Sequence, residues 1–192
     1  MKKLILASSS PRRKQLMEVA GLVFTIIPSK FKENLDINIA PQELVEYLSF
    51  QKAQEISIRH KNAVIIGADT IVVLNNKIIG KPKHKKHARE ILKNLSGKTH
   101  EVLTGYTIID AKNQMRKTKV VRSKVYFKTL SNEQIENYIA TDEPLDKAGA
   151  YGIQGIGKAL IEKTEGDYAN IVGLPIQTLL ADLKLFGIVP EA

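Results

Sequence analysis

The stretch Ala63-Val64-Ile65-Ile66-Gly67-Ala68-Asp69-Thr70-Ile71-Val72-Val73-Leu74 constrains this chain more than any other. It is apolar at successive rather than alternate positions and rich in β-branched residues, which reads as a strand buried on both faces. Asp69 interrupts it, and an unpaired carboxylate in such a place costs several kcal/mol or takes up a proton. Two explanations stay open. Gly67 to Thr70 can form a bend in which Asp69 binds nearby amides, or Asp69 stands at the mouth of a strand to hold a cation or activate water.

The remainder of the chain supplies partners for that strand. A short strand, Leu4 to Ala7, precedes a helix capped by Ser10 with Pro11 in its first turn and closed by Gly21. Phe24 to Pro28 reads as a strand and Pro41 to Arg59 as a helix. Asn75-Asn76 predicts a hairpin to Lys77-Ile78-Ile79. A helix from His84 to Leu95 ends at Gly97, and strands at 99–109 and 118–127 flank a turn. Ser131-Asn132-Glu133-Gln134 matches a capping box. A strand at 159–161, a turn at Glu165-Gly166-Asp167 and a helix after Pro175 complete the pattern. Strands and helices alternate irregularly, so an α/β fold with a mixed sheet is expected. A length of 192 residues fits one domain, 1–192, with a real core.

Composition excludes more than it assigns. With no cysteine, disulfides, thiolate zinc sites and cysteine nucleophiles are ruled out. The apolar N-terminal run is too short for a signal peptide and no segment has the length of a membrane span, so a cytoplasmic location and no membrane partner are expected. A formal net charge of +9 suits an anionic partner. Aromatic residues make up only 6% and do not interleave with the lysines, which argues against nucleic acid as that partner.

Several groups are hard to explain as structure alone. Ser8-Ser9-Ser10-Pro11-Arg12-Arg13 places hydroxyls, free helix N–H groups and two arginines where an anion would be held; the alternative is a good N-cap followed by surface arginines. Lys52 falls inside the apolar stripe of Val45, Leu48 and Ile56, and either runs along the edge of the core or points into a cleft. Lys81, held extended by Pro82, is brought back toward the Asp69 strand by the hairpin. The glycine-rich 146–155 segment lets a ligand come close: Gln154 could read a base edge, while Tyr151 could stack or simply pack. Ser96-Gly97-Lys98-Thr99 is not a phosphate loop, since Leu92 stands where its first glycine belongs. His84 and His87 lack a third metal ligand, and Gly155-Ile156-Gly157 lacks the last glycine of a dinucleotide fingerprint.

Taken together, these stretches resemble the Maf family of nucleoside triphosphate pyrophosphatases over essentially the whole chain. The resemblance rests on Ser8 to Arg13, Gly67 to Val72, Gly80-Lys81-Pro82, Ser96 to Gly105, Asp146 to Gly155 and Val172-Gly173-Leu174-Pro175. It implies a two-lobed α/β fold, a mixed twisted sheet flanked by helices with a central cleft, as in Maf and ITPase-like proteins, commonly as a homodimer. It also implies cleavage between the α- and β-phosphates and dependence on Mg²⁺ or Mn²⁺. On that basis Asp69 is the catalytic base, and Ser8, Arg12, Arg13, Lys52, Thr70, Lys81 and Gln154 bind the substrate. Asp69 and Glu33 are the metal ligands. The Asp146 to Gly155 stretch is similar to the branch acting on dTTP and UTP, with Arg12, Thr70 and Gln154 at its specificity positions. Where the family commonly has Asp-Glu this chain has Lys32-Glu33, and Gln51 replaces the glutamate usual before Lys52. Alternatives within the same chemistry are 7-methyl-GTP or modified pyrimidine triphosphates as substrate; outside it, a septum-formation regulator.

Overall fold

The computed structural model describes residues 2–34 and 37–191; the ends of the expected domain, residues 1 and 192, lie outside them. Its strands are β1 (Lys3–Leu6), β2 (Thr25–Ile26), β3 (Ala63–Leu74), β4 (Lys77–Ile79), β5 (Thr99–Asp110), β6 (Met115–Phe127) and β7 (Ile161–Glu165). Its helices are α1 (Pro11–Val19), α2 (Pro41–Arg59), α3 (Lys85–Leu95), α4 (Asn132–Ala140), α5 (Tyr168–Val172) and α6 (Ile176–Leu183).

The strands form one mixed sheet in the order β2-β1-β3-β5-β6-β7, with β4 hairpinned onto the end of β3. β1 runs parallel to both β2 and β3, whereas β3, β5, β6 and β7 are antiparallel in turn. β3 is central and buried along almost its whole length, as its uninterrupted apolar sequence requires. Asn75 and Asn76 both take positive φ, 49° and 63°, which suits the two-residue turn into β4.

Side-chain alternation along β3 divides the interior. On one face Val64, Ile66 and Ala68 join a core with β1, α1 and α6, while Val72 and Leu74 join a second core with α3 and α4. Thr70 lies between them. On the other face Ile65 packs under the C-terminal half of α2 and Ile71 and Val73 under its N-terminal half, with Gly67 and Asp69 between. The strand changes from one apolar cluster to another at the same point on both faces. This is the two-lobed arrangement, and its seam passes through Asp69-Thr70.

Two glycines bring α2 down onto that seam. A Cβ on Gly67 would lie 2.3 Å from the Ser49 carbonyl oxygen, and one on Gly105 would lie 2.4 Å from that of Val45. Gly105 is the cross-strand partner of Asp69. The helix backbone therefore rests directly on the sheet beside the acid, an approach open only to residues without a Cβ.

Some elements differ from the sequence reading. Ala159 and Leu160 end a 3₁₀ turn, and the strand begins at Ile161. Residues 168–172, which carry no element in the sequence pattern, form α5, whose cap is the Asp167 carboxylate accepting from the N–H groups of Ala169 and Asn170 at 2.7 and 3.2 Å. β6 starts at Met115, three residues ahead of the expected strand at Thr118. Among the described residues no helix is long and apolar enough to cross a membrane.

Candidate active site

A cavity of about 1060 Å³ opens over the seam. Its walls come from the β1–α1 junction, the middle of β3, the end of β4 and the 143–155 segment. Ser8, Arg12, Arg13, Glu33, Lys52, Asp69, Thr70, Lys81 and Gln154 all line it, so every residue singled out for substrate, metal or catalysis faces one space.

Asp69 is buried, and Lys52, projecting from the middle of α2, places its Nζ 2.5 Å from the Asp69 Oδ1. The same ammonium lies 2.6 Å from Glu33 Oε1. Burial alone would raise the Glu33 carboxyl, but Lys52, and more weakly Lys81 and Arg13, hold it below its ordinary value. Lys52 turns its charge into the cleft rather than along the edge of the core, and Asp69 stays within the strand, paired with Lys52 rather than with the amides of a bend.

Asp69 and Thr70 face opposite sides of the sheet. Thr70 looks toward α1, where its Oγ1 accepts from Arg13 Nη2 at 3.0 Å, shares a hydrogen bond with Thr104 at 2.9 Å and donates to the Gly173 carbonyl at 3.3 Å. Arg13 is buried; its Nε donates to Gly173 O at 2.9 Å and its Nη1 to Ser8 Oγ at 3.2 Å. Among the described residues three of the five guanidinium N–H donors are thus engaged, which leaves two for an anion. Burial lowers the Arg13 pKa, opposed by the charges of Asp69 and Glu33.

Arg12 is half-buried, its Nη1 3.7 Å from Asp146 Oδ2, and Ser10 caps α1 by accepting the Arg13 N–H. Lys81 is exposed at the rim just beyond β4, where the neighbouring Gly80 carbonyl accepts the Gly149 N–H at 3.1 Å. Gln154 is exposed to the cavity from an extended stretch between two short 3₁₀ turns. Glu143 and Lys147 also line the cavity and had no role in the sequence reading. Nothing in their pattern sets them apart from ordinary loop charges.

The residues present suit an oxygen-preferring divalent cation. Two carboxylates converge on one positive charge, the Lys52 ammonium, which is the donor chemistry such an ion takes. Among the described residues no group of three or more His, Cys, Asp or Glu side chains could form a cage by itself. The remaining ligands would therefore be substrate phosphate oxygens and water, as is usual for Mg²⁺.

Comparison with known proteins supplies a family and relatives. A family profile described as "Maf-like protein" matches residues 3–186. A protein of Bacillus pumilus named "dTTP/UTP pyrophosphatase" is 49% identical over 190 residues, 99% of this chain and 100% of its own length. Proteins of the same name from Bacillus mycoides and Bacillus anthracis are 46% and 47% identical, covering 97% and 98% of this chain and 96% and 97% of their own lengths.

Proposed function

The chain belongs to the Maf-like protein family, and we propose that it hydrolyses dTTP and UTP to the nucleoside monophosphate and pyrophosphate. The observation that carries this reading is the single cavity in which two carboxylates, Asp69 and Glu33, meet the cations Arg12, Arg13, Lys52 and Lys81. A triphosphate that carries a divalent cation suits both kinds of charge in one place. The near-full-length identity to proteins named for this activity supports it.

In this reading residues 1–192 act as one domain with one site. The triphosphate enters with its charge neutralised by Arg12, Lys81 and the two uncommitted N–H groups of Arg13. Ser8 and Thr70 hold the Arg13 fork in place, and Thr70, with Arg12, also takes part in substrate choice. Asp69 accepts a proton from the water that attacks the α-phosphorus; the bond from that phosphorus to the bridging oxygen breaks, and pyrophosphate leaves with the electron pair. Lys52, its Nζ 2.5 Å from the Asp69 Oδ1, holds that carboxylate in place within the cavity. A bound Mg²⁺ or Mn²⁺, held by Asp69 and Glu33, would withdraw charge from the phosphate oxygens. Gln154 offers an amide donor and acceptor to the carbonyl and N3–H of a pyrimidine. The setting we infer is cytoplasmic nucleotide metabolism, with the protein as a homodimer.

A panel of nucleoside triphosphates assayed for pyrophosphate release with Mg²⁺ or Mn²⁺ tests the reaction and the base preference together. dTTP and UTP should be cleaved best. Asp69→Asn, which keeps the shape and removes the charge, should slow release roughly 10²- to 10⁴-fold. A wild-type rate in that variant would remove Asp69 from the mechanism.

A further inference from the structure

Gln154 lies outside the sheet and the α-helices, in a segment, 152–157, that pairs with no strand and runs into a short 3₁₀ turn at Gly155. Two side chains tie it down. Glu143 Oε1 accepts the N–H of Gly157 at 3.1 Å and the Tyr138 hydroxyl at 2.9 Å, while its Oε2 accepts the N–H of Ile156 at 3.1 Å. The Tyr138 oxygen in turn accepts the N–H of Gly152 at 3.1 Å. Backbone on both sides of Gln154 is therefore tied to one carboxylate and the phenol bound to it.

The glycines of the segment are moulded to this clamp. A Cβ on Gly155 would sit 3.0 Å from Glu143 Oε2, and one on Gly157 would sit 2.6 Å from Tyr138 Oη. The clamp also reaches the phosphate side of the cavity. Lys147 Nζ donates to the Glu143 carbonyl at 2.8 Å and to Asp146 at 2.6 Å, and Asp146 faces Arg12. A carboxylate is suited to the centre of this arrangement because it only accepts, has room for about four donors, and makes hydrogen bonds roughly twice as strong as neutral groups do.

We propose that Glu143, seated on Tyr138, is the positioning residue for the base-reading segment: it sets where Gln154 stands, and through Gln154 it sets the choice among nucleobases. The proposal rests on the assignment of Gln154 given above.

The test compares Glu143→Gln, Glu143→Ala, Gln154→Ala and the double variant Glu143→Ala/Gln154→Ala with the wild type. kcat and KM are measured on dTTP, UTP, dCTP and GTP, and amide hydrogen exchange is followed across 152–157. In Glu143→Ala those amides should exchange faster, and the preference for dTTP over dCTP in kcat/KM should fall about tenfold, the equivalent of one discriminating hydrogen bond. Most of the loss should appear in KM. Glu143→Gln keeps one acceptor oxygen and should fall between the two. The double variant should discriminate no worse than Gln154→Ala alone, since both changes act through one contact. Unchanged exchange, or losses that add in the double variant, would overturn the proposal. If Gln154→Ala loses preference and neither Glu143 variant does, the positioning role fails and the Gln154 assignment stands. If Gln154→Ala discriminates like the wild type, that assignment fails and takes the positioning role with it.

Discussion

Asp69 and Thr70 are adjacent in the chain, yet pleating sends them to opposite faces of β3, so the two sides of the seam do different work. Asp69 meets Lys52 under α2, whereas Thr70 supports Arg13 under α1. Thr70→Val removes a hydroxyl at nearly constant shape and leaves a buried Arg13 N–H without its acceptor. The expected cost is about 1–3 kcal/mol, read as a lower urea midpoint, together with a higher KM for the triphosphate as the guanidinium loosens. An unchanged midpoint would mean that Arg13 does not depend on this contact. At this scale the residues most legible in the sequence were the charges set into apolar patterns. Asp69 broke a buried strand and Lys52 broke a helix stripe, and each had to find a partner; they found each other. Glu33 lies in an irregular segment and Glu143 opens a single 3₁₀ turn, and in both places a carboxylate looks like any solvated loop acid. Glu33 was reached only through the family resemblance, and Glu143 needed the folded backbone that it binds.

α2 is the element whose placement decides whether Lys52 can reach Asp69. Its start is marked locally, by Pro41 in the first turn and the Glu43 carboxylate accepting the Ala40 N–H at 3.1 Å. Its depth on the sheet is set elsewhere, by Gly67 and Gly105. Gly105→Ala would place a methyl group 2.4 Å from the Val45 carbonyl oxygen, a backbone atom that cannot swing aside. The helix must lift, at a cost of about 1–3 kcal/mol, and carry Lys52 away from the acid. Reduced stability and slowed pyrophosphate release should therefore appear together; a stable variant with wild-type activity would show that α2 is not held at this depth by the glycine. Long periodic elements and strong turns could be read without the structure, as α2 and the Asn75-Asn76 hairpin show. α5, Tyr168–Val172, could not: it is barely more than one turn and exists because Asp167 caps it, so no periodicity was available to distinguish it from the turn before it.

Across the whole molecule the two lobes are joined by the sheet, and the lobe built on α3 and α4 carries a buried titratable ring in its core. His100 is 1% exposed, packs edge-on to Phe127 and Tyr151, and shares a 2.7 Å hydrogen bond between its Nε2 and the Tyr151 hydroxyl. Its Nδ1 has no hydrogen-bond partner among the described residues. Burial lowers its pKa from 6.5 to about 4. Above pH 6.5 the ring is neutral whether the chain is folded or not, and its full contribution to stability is present. As pH falls from 6.5 toward 4 the unfolded chain takes up a proton that the folded chain refuses, so stability falls. The difference of roughly 2.5 units, at about 1.4 kcal/mol each, amounts to ~3 kcal/mol by pH 4. Asp110 and Asp182 act lower down: burial would raise them, but Lys2 and Asn113 for the first, and Lys117 and Tyr106 for the second, hold them below their ordinary 3.8. Their contributions are present above pH 3.8 and are lost below it, which leaves the interval from 6.5 to 4.5 to the ring. Urea unfolding of the wild type should weaken steadily through that interval. In His100→Gln the decline should flatten there while the loss below pH 4 persists. A variant curve parallel to the wild type would place the titrating group elsewhere and leave His100 as packing for Tyr151 alone.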